Sequence, residues 1–304
     1  MPFAPELIAL SVGLLWAASG LFSTGPASSF GGLAFNRWRM NVVTAILLSA
    51  LLVSGTFKWL PWHVVGILAL SGLVGIFLGD TLLFVALARL GPRRNALVFT
   101  LNAPMAALLA VAVGQDRLSG FDWLGLFLVL AGVMVAILYG KRKELLSRWE
   151  EVRGPVWIGL LFSLGAAACQ ATGLVISDLV IDVPAEQQPP VILAALIRVA
   201  ISAVAINALL VAGVQAVRTP QGISRINWML MALSGFAGMG LGMTLLVWAQ
   251  SFADAEVSLV SALSQTTPVW TLLLLWILTR QRPAALAFVG AAVAVTGVFV
   301  ITLN

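Results

Sequence analysis

Residues 69–86 read ALSGLVGIFLGDTLLFVA, and residues 232–249 read ALSGFAGMGLGMTLLVWA. Aligned at a constant shift of 163, the two stretches share eleven of eighteen residues. The matches include Gly72 with Gly235, Gly75 with Gly238, Gly79 with Gly242 and Thr81 with Thr244. Chance likeness between two Leu/Ala-rich runs does not keep glycine, serine and threonine in register, so the stretches mark an internal repeat. Downstream, Pro104 answers Pro268 and Gly132 answers Gly297, with small gaps between. The chain therefore divides into two copies, residues 1–145 and 146–304.

Both stretches belong to runs long enough to cross a bilayer. The chain has 304 residues, 61% of them apolar and 10% charged, and a mean hydropathy of +1.04. A soluble domain carries roughly 25% charged residues. This composition excludes a soluble enzyme, a disordered chain and a nucleic-acid binder, despite a pI near 10.3. One cysteine (Cys169) and one histidine (His63) leave no intrachain disulfide and no zinc set, so neither metal nor cofactor is expected. A spanning helix needs ~20 mostly apolar residues, because the hydrocarbon layer is about 30 Å thick. Ten stretches qualify: 6–24, 31–54, 62–88, 94–114, 120–139, 155–177, 190–214, 227–252, 257–278 and 283–303. All must be helical, since an open strand would leave backbone groups unpaired in lipid. The expected fold is an all-α polytopic membrane protein of ten transmembrane helices. Five spans per copy is an odd number, so the second copy lies inverted relative to the first. Such inverted repeats are a recurrent plan of secondary transporters. No basic segment precedes the first apolar run, so a cleaved signal peptide is not expected.

The basic residues sort by loop. Loops 3–4, 5–6, 7–8 and 9–10 hold twelve Lys and Arg, and the opposite side holds only Lys58 and Arg117. Excess Lys/Arg in short loops marks the cytoplasmic side, which places the 140–154 linker inside the cell and both termini outside. Trp59, Trp62, Trp123, Trp157 and Trp228 stand at span ends, where indole rings favour the water–lipid boundary.

Pro104 and Pro268 fall near the middle of spans 4 and 9. Proline donates no bond to the carbonyl four residues back, so those of Thr100 and Ser264 lose their helical partner. Two matched, proline-interrupted spans with adjacent polar side chains (Asn102, Gln265) point to a midplane binding site. A plain kink patched by neighbouring hydroxyls is the alternative. Four charges sit inside spans: Arg37, Arg39, Asp80 and Arg198. Asp80 and the two span-2 arginines share nearly one depth, so an ion pair is expected, with proton coupling through Asp80 as the sharper reading. The second copy has Met243 in place of Asp80. Arg198 has no visible acidic residue at its depth. It binds carbonyls, snorkels to the interface, or meets an anionic group on a substrate. Trp16 in span 1 and Gln170 in span 6 occupy similar places in the two copies, and with Trp248 they are candidates for a central cavity. Asn41 and Asn207 read as hydrogen-bonding glue between helices.

The early tryptophan in LLWAAS, the LGDTLLFVAL run, the N-A-P-x-x-A-L-L segment and the G-Q-D-R-L-S turn at 114–119 together resemble the drug/metabolite transporter superfamily. Within it, the chain looks like the EamA type, with two EamA units. The resemblance implies export of small organic metabolites, such as amino acids, related compounds or drugs, across the cell inner membrane by alternating access. It also implies a cavity lined by helices 1, 3, 4, 6, 8 and 9. An uptake or exchange carrier is the alternative; a channel or a membrane-embedded enzyme has less behind it, because the spans hold no catalytic set. The expected partners are a small-molecule substrate and the lipid bilayer, with a proton or counter-solute left open and no oligomeric state legible. Two departures stand out. The second unit carries T-R-Q-R-P at 279–283 where the family has G-E-x-L. Members are also drawn with cytoplasmic termini, the reverse of the charge count, and the charges are followed here.

Overall fold

The computed structural model describes residues 4–114, 119–139, 154–180, 183–250, 263–264, 266–280 and 282–302. Gln265, Arg117, most of the 140–154 linker, the centre of the 114–119 turn and the first part of span 9 lie outside the described residues.

The chain is all-helical among the described residues, with seven membrane-length apolar helices and three shorter apolar ones. Span 1 is one helix, Ala4–Phe30, and span 2 runs Gly32–Ser54. Span 3 is continuous over Trp62–Leu90. Span 4 divides into Pro92–Phe99 and Asn102–Ala112. Span 5 is Gly120–Tyr139, span 6 Val156–Asp178 and span 7 Val191–Val211. Span 8 joins Arg225–Gly235, Phe236–Gly242 and Met243–Gln250 end to end. Span 9 is described over Thr267–Thr279, and span 10 over Ala285–Thr302.

Local sequence sets the ends. Span 2 stops at Gly55, whose φ of 62° is left-handed and whose N–H closes on Leu51 O at 3.1 Å. Gly91 (φ 77°) ends span 3, and Pro92 then opens span 4, where its missing N–H costs nothing. Span 5 begins in a capping box. The Ser119 N–H donates to Asp122 Oδ2 at 2.7 Å, and the Asp122 N–H donates to Ser119 Oγ at 3.2 Å.

The two repeats exchange partners. Span 1 of the first lies against spans 8 and 9 of the second, and span 6 of the second lies against spans 3 and 4 of the first. Spans 2 and 7 meet beside them around Met40, Val43, Leu47, Ile76, Val199 and Ala203. There the Asn207 amide donates to Asn41 Oδ1 at 2.9 Å. Spans 5 and 10 form a separate tight pair. A methyl at Gly297 would sit 2.6 Å from Gly125 O, and one at Gly290 2.6 Å from Gly132 O. Small residues permit this backbone approach where no hydrophobic drive pulls helices together.

Four of the five boundary tryptophans are exposed at span ends: Trp59, Trp62, Trp123 and Trp157. Trp228 differs, because it stacks edge-on against Phe30 at 4.8 Å and Trp38 at 4.9 Å.

Candidate functional site

The middle thirds of spans 3 and 8 are not ordinary α-helix. Gly72–Leu78 and Phe236–Gly242 are π-helical, at matched places in the two copies. A π segment widens the turn and breaks the regular ladder, and such segments collect at functional sites. Glycine clears the space for neighbours here. A Cβ at Gly242 would lie 2.7 Å from Trp16 Nε1, and one at Gly79 would lie 3.6 Å from Gln170 N. The Trp16 indole thus packs on Gly242, and the span-6 backbone at Gln170, with Cys169 Cβ, packs on the matched Gly79. The Trp16 indole N–H also donates to Gly238 O at 3.1 Å, inside the π segment.

The charges gather at the same level. Arg39 Nη1 meets Asp80 Oδ2 at 3.1 Å, with both side chains nearly buried. The Arg39 guanidinium also lies over the Phe84 ring, 5.0 Å from its centroid. Arg37 takes no part in that pair. It turns to the 7–8 loop, where its Nη2 donates to Thr219 Oγ1 at 2.8 Å beside the Trp38 indole N–H at 2.7 Å. Arg198 is half-buried and runs along span 3, its backbone against Gly72 and its Nη2 beside Gly75.

The broken spans satisfy their own backbone. In span 4 the Thr100 carbonyl, deprived of a donor by Pro104, takes a long 3.4 Å bond from Ala103 N. The Asn102 side chain covers the Phe99 carbonyl at 2.8 Å and is itself buried. In span 9, Pro268 lies in the first turn of the described helix, and Thr267 Oγ1 donates to Ser264 O and to Gly13 O at 3.4 Å each. Gly13 of span 1 is pressed onto this break, since a Cβ there would be 2.7 Å from Thr266 Oγ1. Trp248 is 53% exposed. Among the described residues no three His, Cys, Asp or Glu side chains converge to hold a metal.

Sequence reasoning passed over two features. One is the π-helical character of both repeat segments, which has no residue signature. The other is a cavity of about 400 Å³ at the arginine-rich end, lined by Ala27, Ser28, Gly31, Gly32, Val85, Ala88, Arg89 and Gly154.

Ten apolar helices among the described residues, in two exchanged repeats with matched irregular segments at their centre, define a multi-pass membrane protein. A model of the EamA-like transporter family matches residues 4–138 and again 157–303, and the chain belongs to that family. A relative from Bacillus subtilis (strain 168), the "Uncharacterized transporter YyaM", is 31% identical over 105 residues, which is 34% of this chain and 34% of that protein. A crystal structure 21% identical in sequence superposes with a TM-score of 0.66 over 99% of this chain and 96% of its own, a likeness of fold.

Proposed function

We propose that the protein is a secondary active carrier that exports small organic metabolites, among them amino acids, related compounds or drugs, across the inner membrane by alternating access. The observation that carries this reading is the exchanged packing of the two repeats around matched π-helical glycine segments. Inverted repeats have two arrangements of similar energy, one opening each way, and a site at their interface is reached from either side in turn. The direction of transport rests on the family likeness. Asp80, the carboxylate set deepest in the described spans, is the place where a coupled proton acts in this reading. The arginine-rich loops face the cytoplasm and the termini face outward.

The test is flux in proteoliposomes against a metabolite panel, with and without an imposed pH gradient. The carrier reading expects saturable flux and counterflow of unlabelled against labelled solute. Linear, unsaturable flux would identify a channel instead. Gradient-independent flux, or full activity in Asp80→Asn, removes proton coupling through that residue.

A further inference from the structure

One buried oxygen next to the Arg39–Asp80 pair has no donor. Asn36 of span 2 is 0% exposed, and its Nδ2 donates to Thr81 Oγ1 at 3.0 Å. The Thr81 hydroxyl donates its own proton to Phe77 O, so it can only accept from the amide. That fixes which way the amide points, and it leaves Asn36 Oδ1 buried without a hydrogen-bond partner. An acceptor in that position is costly, and folded proteins keep few of them. The neighbours explain this one. Asn36 and Arg39 stand one turn apart on the same face of span 2, and they bond adjacent residues of span 3, Thr81 and Asp80. Arg39 engages Asp80 Oδ2 at 3.1 Å, so Oδ1 is the oxygen left to carry a proton. The Asp80 side chain keeps 12% of its surface exposed, which gives a proton access to it. Ionised, the carboxylate only accepts; protonated, it gains an O–H donor that needs an acceptor. Among the described residues the other buried side-chain oxygen without a partner is Glu6 Oε2, at the start of span 1.

The second repeat is an internal control. A Cβ at Gly238 would lie 3.2 Å from Arg39 Nη2, and one at the matched Gly75 would lie 3.7 Å from Arg198 Nη2, so the two arginines answer each other. Thr81 answers Thr244, and each hydroxyl donates to the carbonyl one turn back. Three residues before the arginines, however, Asn36 stands against Ala195, and just before the threonines Asp80 stands against Met243. Arginine and threonine are thus kept in both copies. The amide and the carboxylate are present together in one and absent together from the other. An amide needed only to hold the threonine would be needed twice. We infer that Asn36 belongs to the Asp80 site, as the acceptor of the hydrogen bond that Asp80 donates in its acid form. One proton from water forms the Oδ1–H bond, no heavy-atom bond changes, and Oδ2 keeps its contact with Arg39. The pair passes from neutral to a single positive charge. Besides Arg39, the charged or titratable groups brought to this part of span 3 by the described spans are Arg198 of span 7 and Cys169 of span 6. The inference rests on the proton-coupled carrier reading and deepens it.

The test is spectroscopic. Infrared difference spectra of the full-length protein in lipid nanodiscs, acid minus neutral, read the C=O stretch of each carboxylic acid that forms. That stretch moves to higher frequency when the acid's O–H loses its acceptor. Asp80→Asn identifies the Asp80 band by its loss. Asn36→Ala, the residue of the second repeat, and the bulkier Asn36→Val are made side by side, so that one folded variant suffices. In either, the Asp80 band is expected at higher frequency than in the wild type. Flux driven by a pH gradient in proteoliposomes should fall roughly tenfold, the weight of one hydrogen bond, while counterflow, which needs no net proton transfer, is retained. An unmoved Asp80 band, or no acid band that depends on Asp80, overturns the assignment whatever the flux. A shifted band together with undiminished gradient-driven flux in Asp80→Asn upholds the Asn36–Asp80 bond and removes proton coupling through Asp80. Absence of counterflow in the wild type removes the carrier reading and leaves the bond to be decided by the band.

Discussion

Asp80, paired with Arg39, stands where the second repeat has Met243, so its carboxylate is not repeated at the matched position. Removing one partner of a buried pair strands the other charge, at a cost of about 3–5 kcal/mol. Asp80→Asn and Arg39→Gln are each expected to lower the unfolding temperature in detergent. The double change Arg39→Met with Asp80→Leu, apolar and of similar size, is expected to recover most of the loss. Unaltered stability in Asp80→Asn would show the pair to be energetically idle. The choice of Arg39 over Arg37 was beyond the sequence, because residues two apart on a helix point to nearly opposite sides. Arg37 is held elsewhere by Thr219, and that loop contact is a tertiary fact. Trp16 offers a second case. Gly242→Ala places a methyl 2.7 Å from Trp16 Nε1, so the indole must shift and lose its bond to Gly238 O. Trp16→Phe alone gives up about 1 kcal/mol for that bond. Combined with Gly242→Ala it removes the clashing atom, so the double variant should be more stable than the sum of its parts.

Among the elements, the repeat was legible because glycine, serine and threonine persisted at one shift along spans 3 and 8. The π character of those spans was not, because it lies in a widened backbone turn that many sequences adopt. Arg198 was legible as the span-7 counterpart of the span-2 arginines, but which of Arg37 and Arg39 it matches was not; the contacts of Arg39 and Arg198 with matched glycines decide it. The break in span 4 was legible from Pro104, yet proline is only part of its cause. The Asn102 amide holds the Phe99 carbonyl outside the helical ladder, and Thr100 Oγ1 donates to Ala96 O at 3.0 Å. Pro104→Ala restores a donor for the Thr100 carbonyl but leaves those side-chain bonds in place. Hydrogen exchange across residues 98–106 should then slow only modestly, whereas Pro104→Ala with Asn102→Leu should close the break and protect the segment strongly. Strong protection in the single variant would make proline the sole cause.

For the whole molecule, the alternating access proposed above requires each end to close by packing that can be undone, and the arginine-rich end has a close backbone approach suited to it. Gly32, at the start of span 2, has no room for a side chain, because a Cβ there would lie 2.6 Å from Val85 N of span 3. Backbone meets backbone, with the 400 Å³ cavity and Ser28 alongside. The contact is all or nothing: with glycine the spans close, and with a branched residue they cannot. Gly32→Val should therefore shift the population toward a state open at this end, since a substitution biases an equilibrium by its energy difference between the two states. The readout is alkylation of Ser28→Cys in a Cys169→Ser background, in inside-out vesicles and in intact cells. Gly32→Val is expected to raise the labelling rate several-fold in inside-out vesicles, where the arginine-rich end faces the reagent. With the orientation proposed from the loop charges, intact cells should show little change. Faster labelling from intact cells instead would reverse the orientation assigned from the loop charges. Equal rates with and without Gly32→Val, in a protein still monodisperse by size exclusion, would mean that the Gly32–Val85 contact is not what closes this end.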